Sequence, residues 1–197
     1  MMMGLPRKFQ RQVWAVGAIT GLIMASASGL FMSSQAVQLS DGSTSFVNPP
    51  RLEEFVPNRN LTNQKDITYY ATIDLLPDAG EPLKTLTVEL IEGRFTRLDY
   101  HVEAIEVYGE VAGNREDYAI ASADYDDNTQ TLTIQLAEGV PPGRQVTFAL
   151  KPVRNPSRSG VYLFDVMAAP GGDQPRSQRA GFGRVQIYQR RYLTPRG

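Results

Sequence analysis

Apolar and polar side chains alternate along most of this 197-residue chain after about residue 43. Four segments show the alternation most clearly: 67–75, 85–91, 131–136 and 145–150. In each segment apolar residues recur at every second position and threonines fill many positions between them, which is typical of a strand with one buried and one solvated face. Four weaker segments share this pattern: 98–108, 118–123, 161–168 and 183–188. The pattern predicts about eight or nine short strands.

Turn-forming residues separate these segments. Proline, glycine, aspartate and asparagine cluster between the predicted strands, where turns need a fixed or a positive φ. No convincing amphipathic helix accompanies the strands. We therefore predict an all-β fold, an antiparallel immunoglobulin-like β-sandwich, with a β-barrel as the alternative. Tyr162 favours the immunoglobulin-like form, because a tyrosine that opens a strand can hydrogen-bond back to the preceding turn.

The first 36 residues predict export. Three basic residues at positions 7–11 precede an apolar run, 13–32, that holds no charged residue, and small residues follow up to Ala36. This order is typical of a secretory signal helix that is cleaved after Ala36. Cleavage after Ala27 is an alternative. An uncleaved membrane anchor is another, because a run of roughly 20 apolar residues is about long enough to span a bilayer.

The predicted organisation has one folded domain. Residues 1–36 form the signal peptide or anchor, 37–66 an extended arm and first edge strand, 67–190 the sandwich, and 191–197 a flexible basic tail. A domain of this length buries a substantial core without further support. The chain contains no cysteine, which excludes a disulfide scaffold, thiolate metal sites and cysteine nucleophiles.

Charge is distributed unevenly along the chain. Residues 37–140 carry 7 basic and 19 acidic side chains, whereas residues 141–197 carry 10 basic and 2 acidic side chains. Such asymmetry is typical of a polyanion-binding face. The alternative is that acidic and basic strands lie side by side in one domain and neutralise each other.

Several arginines of the basic half flank predicted loops. Arg144, Arg154, Arg158 and Arg184, together with Asn155, form the predicted binding set. The planar guanidinium group of arginine suits carboxylates, sulfates and phosphates. Loops at one end of a sandwich are a usual place for binding.

Candidate catalytic and metal-binding groups are few. His101 is the only histidine, and no Gly-x-Ser-x-Gly motif occurs, so no serine has an evident base and no catalytic residue is predicted. Asp124, Asp126 and Asn128 place oxygen ligands at alternate positions, but the glycine and glutamate of an EF-hand are missing. These three residues are weak calcium candidates, and no cofactor is predicted.

Several short motifs occur together in this chain: Phe46-Val-Asn-Pro-Pro-Arg-Leu52, Ala79-Gly-Glu-Pro-Leu83, Pro141-Pro-Gly143, Arg154-Asn-Pro156, Ser159-Gly-Val-Tyr-Leu-Phe164 and Gly181-Phe-Gly-Arg184. As a set they resemble the cyanobacterial family of secreted proteins known as DUF 2808, a domain of unknown function, from about residue 37 to about residue 188. The resemblance implies a cyanobacterial source, export and a single domain. It implies no activity, ligand or catalytic residue. The chain departs from the family pattern at 165–168, where a glycine and a Thr-Ala-Phe-like run are expected.

These observations predict an exported, non-enzymatic protein that binds or organises a cell-envelope component such as an acidic glycan or an envelope protein. Its expected location is the periplasm, the cell envelope or the medium. A structural or assembly subunit of a periplasmic or surface complex is the alternative, and a hydrolase of unrecognised type comes third. Export makes nucleic acid an unexpected partner, and membrane contact is expected only through a retained N-terminal segment.

Overall fold

The computed structural model describes residues 42–94 and 97–189. These residues form ten strands and a 3-10 turn at Val102–Ala104. The strands are β1 (Arg51–Pro57), β2 (Tyr69–Leu75), β3 (Leu83–Glu92), β4 (Glu106–Val111), β5 (Asn114–Asp117), β6 (Ile120–Asp126), β7 (Thr131–Val140), β8 (Arg144–Leu150), β9 (Gly160–Pro170) and β10 (Gln178–Ile187). The predicted signal or anchor segment and the predicted basic tail lie outside the described residues. In the described part of the chain, no helix has the length and apolar character to cross a membrane.

The strands form two five-stranded sheets. The first sheet has the order β1-β2-β8-β4-β5, and the second has the order β10-β9-β3-β7-β6. Neighbouring strands in both sheets are antiparallel. The two sheets share one core and do not close on each other. The predicted antiparallel sandwich is therefore confirmed, and the barrel alternative is wrong.

Alternate residues of the strands fill the core. In β2, the side chains at positions 69, 71, 73 and 75 are fully buried, whereas those between them are partly exposed. The rings of Phe55 and Phe164 stack with centroids 4.8 Å apart, and Tyr69 meets Phe164 edge-on at 5.9 Å. Aromatic pairs of this kind add about 0.5–1.5 kcal/mol beyond the burial of their area. This aromatic cluster joins the two sheets.

Two glycines allow edge strands β1 and β10 to pack closely. A Cβ atom on Gly183 would lie 2.4 Å from Cγ of Phe55, and a Cβ atom on Gly181 would lie 2.9 Å from Cβ of Leu52. Only glycine permits so close an approach of the backbone. The edge of one sheet therefore packs against the edge of the other on this side of the sandwich.

The segment from β3 to β5 differs from the prediction. The weaker segment 98–108 is not a continuous strand, because Val102–Ala104 is a 3-10 turn and only Glu106–Val111 pairs as β4. Strand β5 was not predicted, since all four of its side chains are exposed and show no alternation. It forms because Ala112 and Gly113, both at positive φ, make a tight hairpin turn that pairs it with β4. With β5 the structure has ten strands among the described residues, compared with the eight or nine that the pattern predicts.

Part of the predicted extended arm packs into the sandwich. Phe46 is 3 % exposed, and its backbone N–H donates a 2.8 Å hydrogen bond to Oε1 of Gln178. The backbone N–H of Thr44 donates to the carbonyl of Gln174 at 3.0 Å. Strand β1, within the same segment, is an edge strand of the first sheet. The sandwich thus includes residues before 67.

Candidate functional site

Three loops meet at one end of the sandwich. They are the β1–β2 loop (58–68), the described parts of the β3–β4 loop (93–94 and 97–105) and the β8–β9 loop (151–159). Backbone hydrogen bonds join the first loop to the third: Asn63 N–H donates to the carbonyl of Pro156 at 3.2 Å, and Asn155 N–H donates to that of Gln64 at 2.8 Å. Because these bonds connect separate loops, the surface that the loops form is held in a fixed position on the sandwich.

Asn155 anchors the β8–β9 loop from below. Its side chain is fully buried, its Oδ1 accepts a hydrogen bond from the Tyr69 hydroxyl at 2.8 Å, and its Nδ2 donates to the carbonyls of Arg59 and Leu61, each at 3.0 Å. Asn155 belongs to the predicted binding set, and the structure corrects its role. The amide is occupied by the protein itself, so Asn155 positions the loop and does not face a ligand.

Tyr162 supports the same loop from strand β9. Its side chain is 1 % exposed, and its hydroxyl donates a 2.8 Å hydrogen bond to the carbonyl of Arg158. The predicted bond from this tyrosine to the preceding turn is confirmed. Gly93 lies against the tyrosine ring, where a Cβ atom would lie 2.4 Å from Cδ1. The β3–β4 loop therefore runs close to the β8–β9 loop, and Arg94 comes near Arg158.

The two arginines line a cleft of about 420 Å³. We call it the arginine cleft and define it by its lining residues: Thr62, Asn63, Arg94, Ser157, Arg158, Ser159 and Gln189. This lining contains two guanidinium groups and three hydroxyls, and none of the described lining residues is acidic. Guanidinium groups bind carboxylate and sulfate through paired N–H donors, and hydroxyls donate or accept further hydrogen bonds. The cleft has the chemistry of an anion site.

Both arginine charges act on the tyrosine beneath the loop. Burial raises the pKa of Tyr162, and the positive charges of Arg94 and Arg158 oppose that rise. Among residues 42–94 and 97–189, none of the ion pairs includes Arg94. The guanidinium group of Arg94 therefore forms no ion pair with a described carboxylate, and its positive charge contributes to the potential of the cleft.

Arginines elsewhere contact carboxylates of their own half of the chain. Arg97 lies 3.2 Å from Asp99 and 3.1 Å from Asp127. Arg179 forms two hydrogen bonds, of 2.8 and 2.7 Å, with the two carboxylate oxygens of Asp165. Since both partners come from the same half, these pairs do not cancel the charge difference between the acidic and the basic half.

The other arginines of the predicted binding set lie in different places. Arg154 is exposed in the β8–β9 loop, close to Arg158 in sequence. Arg144 begins β8 opposite Leu75, at the far end of the sandwich from this loop. Arg184 is exposed on β10, between two buried residues. Arg154 and Arg158 thus lie in one loop, whereas Arg144 and Arg184 lie elsewhere in the sandwich.

The weak calcium candidates form a hairpin turn. Oδ1 of Asp126 accepts a 2.8 Å hydrogen bond from the backbone N–H of Asn128, and this bond lowers the pKa of Asp126. Asp124 is exposed on β6. Within the described ranges, no group of three or more acidic or histidine side chains is placed to hold a metal ion. These hydrogen bonds are typical of a turn rich in aspartate and asparagine, and the calcium site stays a weak prediction.

A larger cleft of about 720 Å³ lies beside β4, β5 and β6. Its lining includes Arg115, which donates hydrogen bonds to Asp117 at 2.7 Å and to Glu106 at 3.1 Å. Its described lining also contains Glu103, so three carboxylates face one cation and the cleft does not favour an anion. The arginine cleft is the smaller of the two, but its described lining carries only positive charge.

The predicted binding set did not include Arg94, Ser157 or Ser159. The serines flank Arg158 in the sequence Ser157-Arg158-Ser159, and a turn with hydroxyls on both sides of an arginine was a usable signal. Arg94 had no such signal, because it lies in the acidic half and reaches the cleft through the pairing of β3 with β9, in which Glu92 lies opposite Leu163.

Comparison with known proteins identifies a family for almost the whole sandwich. The family model described as "Protein of unknown function (DUF2808)" matches residues 43–187. No curated protein matches this sequence.

Several solved structures are similar in fold. The collagen-binding domain from a Staphylococcus aureus adhesin is 8 % identical, over 68 % of this chain and 96 % of that chain, with a TM-score of 0.36. BslA, a bacterial hydrophobin, is 12 % identical over 74 % of this chain and 98 % of that chain, with a TM-score of 0.41. Self-complemented MyfA, the major subunit of Myf fimbriae from Yersinia enterocolitica, is 17 % identical over 68 % and 96 %, with a TM-score of 0.34. At this identity the likeness concerns the fold alone.

Proposed function

The chain belongs to the DUF2808 family, whose description names no activity, and we propose that it is a non-enzymatic protein that binds an acidic glycan of the cell envelope. The observation that carries the proposal is the arginine cleft. In this cleft Arg94 and Arg158, from two different loops, line one cavity of about 420 Å³ whose described lining has no carboxylate.

The chemistry of the cleft matches an acidic sugar. A uronate carboxylate or a sulfate ester presents oxygens that a guanidinium group binds with two parallel hydrogen bonds. The hydroxyls of Ser157 and Ser159 and the amide of Asn63 supply further donors and acceptors for sugar hydroxyls. Hydrogen bonds already connect the loops, so ordering of the loop backbones on binding costs little free energy.

One further feature supports binding rather than catalysis, and another supports an exported location. The described lining of the cleft contains no histidine, aspartate or glutamate that would serve as a general base. The N-terminal segment has the order of basic, apolar and small residues expected of an export signal. Export would place the chain where it can contact the polysaccharides of the envelope.

The test compares two double variants of the purified full-length chain. Arg94→Ala with Arg158→Ala removes both cations of the cleft, whereas Arg144→Ala with Arg184→Ala removes the same charge elsewhere. Binding to polygalacturonate is measured by co-sedimentation over a salt series, with uncharged dextran as the control polymer. We expect the cleft variant to bind more weakly by on the order of tenfold, because two exposed ion pairs, each worth up to about 1 kcal/mol, are lost together.

The control double variant is expected to bind as the unmodified chain does, with affinity that falls as salt rises. Equal loss in both double variants would show that total charge, not the cleft, binds the polymer. No binding of the unmodified chain at low salt would reject the glycan proposal and would favour the assembly-subunit alternative.

A further inference from the structure

Two further clefts lie beside the arginine cleft along the β8–β9 loop. A second cleft, of about 200 Å³, shares Ser157 with it. A third cleft, of about 380 Å³, shares Val153 and Arg154 with the second. We call the three clefts together the basic groove. The groove runs along the β8–β9 loop, which the buried side chain of Asn155 anchors.

Cations outnumber carboxylates along the described lining of the basic groove. Its acidic residues are Asp66 and Asp99. Its lysines and arginines are Lys65, Arg94, Arg97, Lys151, Arg154 and Arg158. The groove therefore keeps a positive excess over more than one cleft.

The cations of the groove differ in how they are engaged. Arg97 is held by Asp99 at 3.2 Å, and Nζ of Lys151 lies 3.8 Å from Glu106. Within the described ranges, no ion pair includes Arg154, which is exposed and lines both the second and the third cleft. Arg154 is therefore the cation best placed to meet a ligand beyond the arginine cleft.

We infer that the basic groove binds a linear polyanionic polysaccharide through several acidic units at once, with Arg154 contacting a unit further along the polymer, beyond the two units that the arginine cleft holds. The inference rests on the proposed function, because the arginine cleft supplies the first contact. Arg154 and Arg158 are four residues apart in one loop, a separation of at most about 14 Å. This bound on their backbone separation is shorter than an extended octasaccharide.

The energetic gain comes from linking the contacts. An exposed ion pair contributes only about 0.2–1 kcal/mol alone. A second acidic unit on the same chain binds at a high effective concentration once the first is held, so it adds to affinity without an independent association. Release of counterions from a polyanion also increases with the number of contacts, which makes binding of a longer chain more sensitive to salt.

The test measures the affinity of the full-length chain for a galacturonate disaccharide and for the octasaccharide by calorimetry. Arg158→Ala is expected to weaken binding of both. Arg154→Ala is expected to weaken binding of the octasaccharide by about threefold to fivefold, the factor for one exposed ion pair of just under about 1 kcal/mol, and to leave binding of the disaccharide unchanged. Arg144→Ala at the opposite end is the control and should change neither. A matching sulfated octasaccharide identifies whether carboxylate or sulfate is preferred.

An octasaccharide can also occupy a single cleft in more registers than a disaccharide, which increases its affinity without an extended groove. The decisive result is therefore that Arg154→Ala weakens binding of the octasaccharide and not that of the disaccharide. An equal effect of Arg154→Ala on both lengths, or no effect on either, would overturn the extended groove while leaving the arginine cleft as the site. Failure of the unmodified chain to bind either oligosaccharide would instead reject the proposed function.

Discussion

The hydroxyl of Tyr69 donates a 2.8 Å hydrogen bond to Oδ1 of Asn155 and so joins the first residue of β2 to the loop that carries the arginine cleft. Both side chains are fully buried. Burial raises the pKa of Tyr69 far above its ordinary value, so the phenol stays neutral and remains a donor at any physiological pH. The position of the binding loop is thereby coupled to the stability of the core.

Replacing Asn155 tests this coupling. Asn155→Ala removes the partner of the Tyr69 hydroxyl and of two loop carbonyls, and we expect it to lower the free energy of unfolding by about 2–4 kcal/mol. Tyr69→Phe is the matched control, because it removes only the first of these bonds and should cost about 1–2 kcal/mol. Urea denaturation measures both. A smaller loss for Asn155→Ala than for Tyr69→Phe would contradict the anchoring role.

The bond from Tyr162 to the preceding turn is a separate source of stability. Tyr162→Phe keeps the buried ring and removes only the hydroxyl that donates to Arg158, and we expect a loss of about 1–2 kcal/mol in unfolding free energy. Tyr188→Phe, at a side chain that is 53 % exposed, should change it by less than about 0.5 kcal/mol. Equal effects of the two substitutions in thermal or urea unfolding would show that the bond contributes little.

The close packing of β10 on β1 depends on Gly183. Gly183→Ala would place a Cβ atom 2.4 Å from Cγ of Phe55, so the ring must move, and overpacking of this kind costs about 1–3 kcal/mol. Gly171→Ala is the control, because no atom lies within 4 Å of its added Cβ. Adding Phe55→Leu to Gly183→Ala should recover part of the loss, a non-additive effect that a double-mutant cycle in urea measures. Strict additivity would exclude direct contact as the cause.

Glu81 is expected to make stability depend on pH. Its side chain is 8 % exposed, its Oε1 has no hydrogen-bond partner among the described residues, and burial raises its pKa. The folded chain therefore retains this proton at pH values where the unfolded chain has released it. Stability consequently falls as the pH rises from the ordinary pKa of glutamate, about 4.3, to the raised pKa of the folded state, and no further above it.

The variant Glu81→Gln removes this titration. We expect its free energy of unfolding, relative to that of the unmodified chain, to increase as the pH rises through that window and then to stay constant. Unfolding in urea at a series of pH values from about 4 to 7 measures the difference between the two proteins. Parallel curves over the whole series would mean that the carboxyl of Glu81 is not perturbed.

The strands with clear alternation were predictable because the period of two is a local property. Residues 69–75 or 131–136 carry it in their own sequence, whichever strand lies beside them. The bond of Tyr162 to the turn before its strand was predictable for the same reason, since both partners lie within a few residues. Strand β5 escaped prediction because its exposed side chains have no buried face, so only pairing with β4 defines it.

The sequence by itself determined that the chain forms an antiparallel sandwich, that its family is the one its motifs resemble, and that arginines flank its loops. Tertiary structure alone decided which of those arginines share a cleft. Arg94 shares a cleft with Arg158 because β3 pairs with β9. Asn155 turns inward to bond to residues 59–69, which are distant from it in sequence. Contacts between loops depend on which strands become neighbours and on how closely their backbones approach, and no local periodicity encodes either of these.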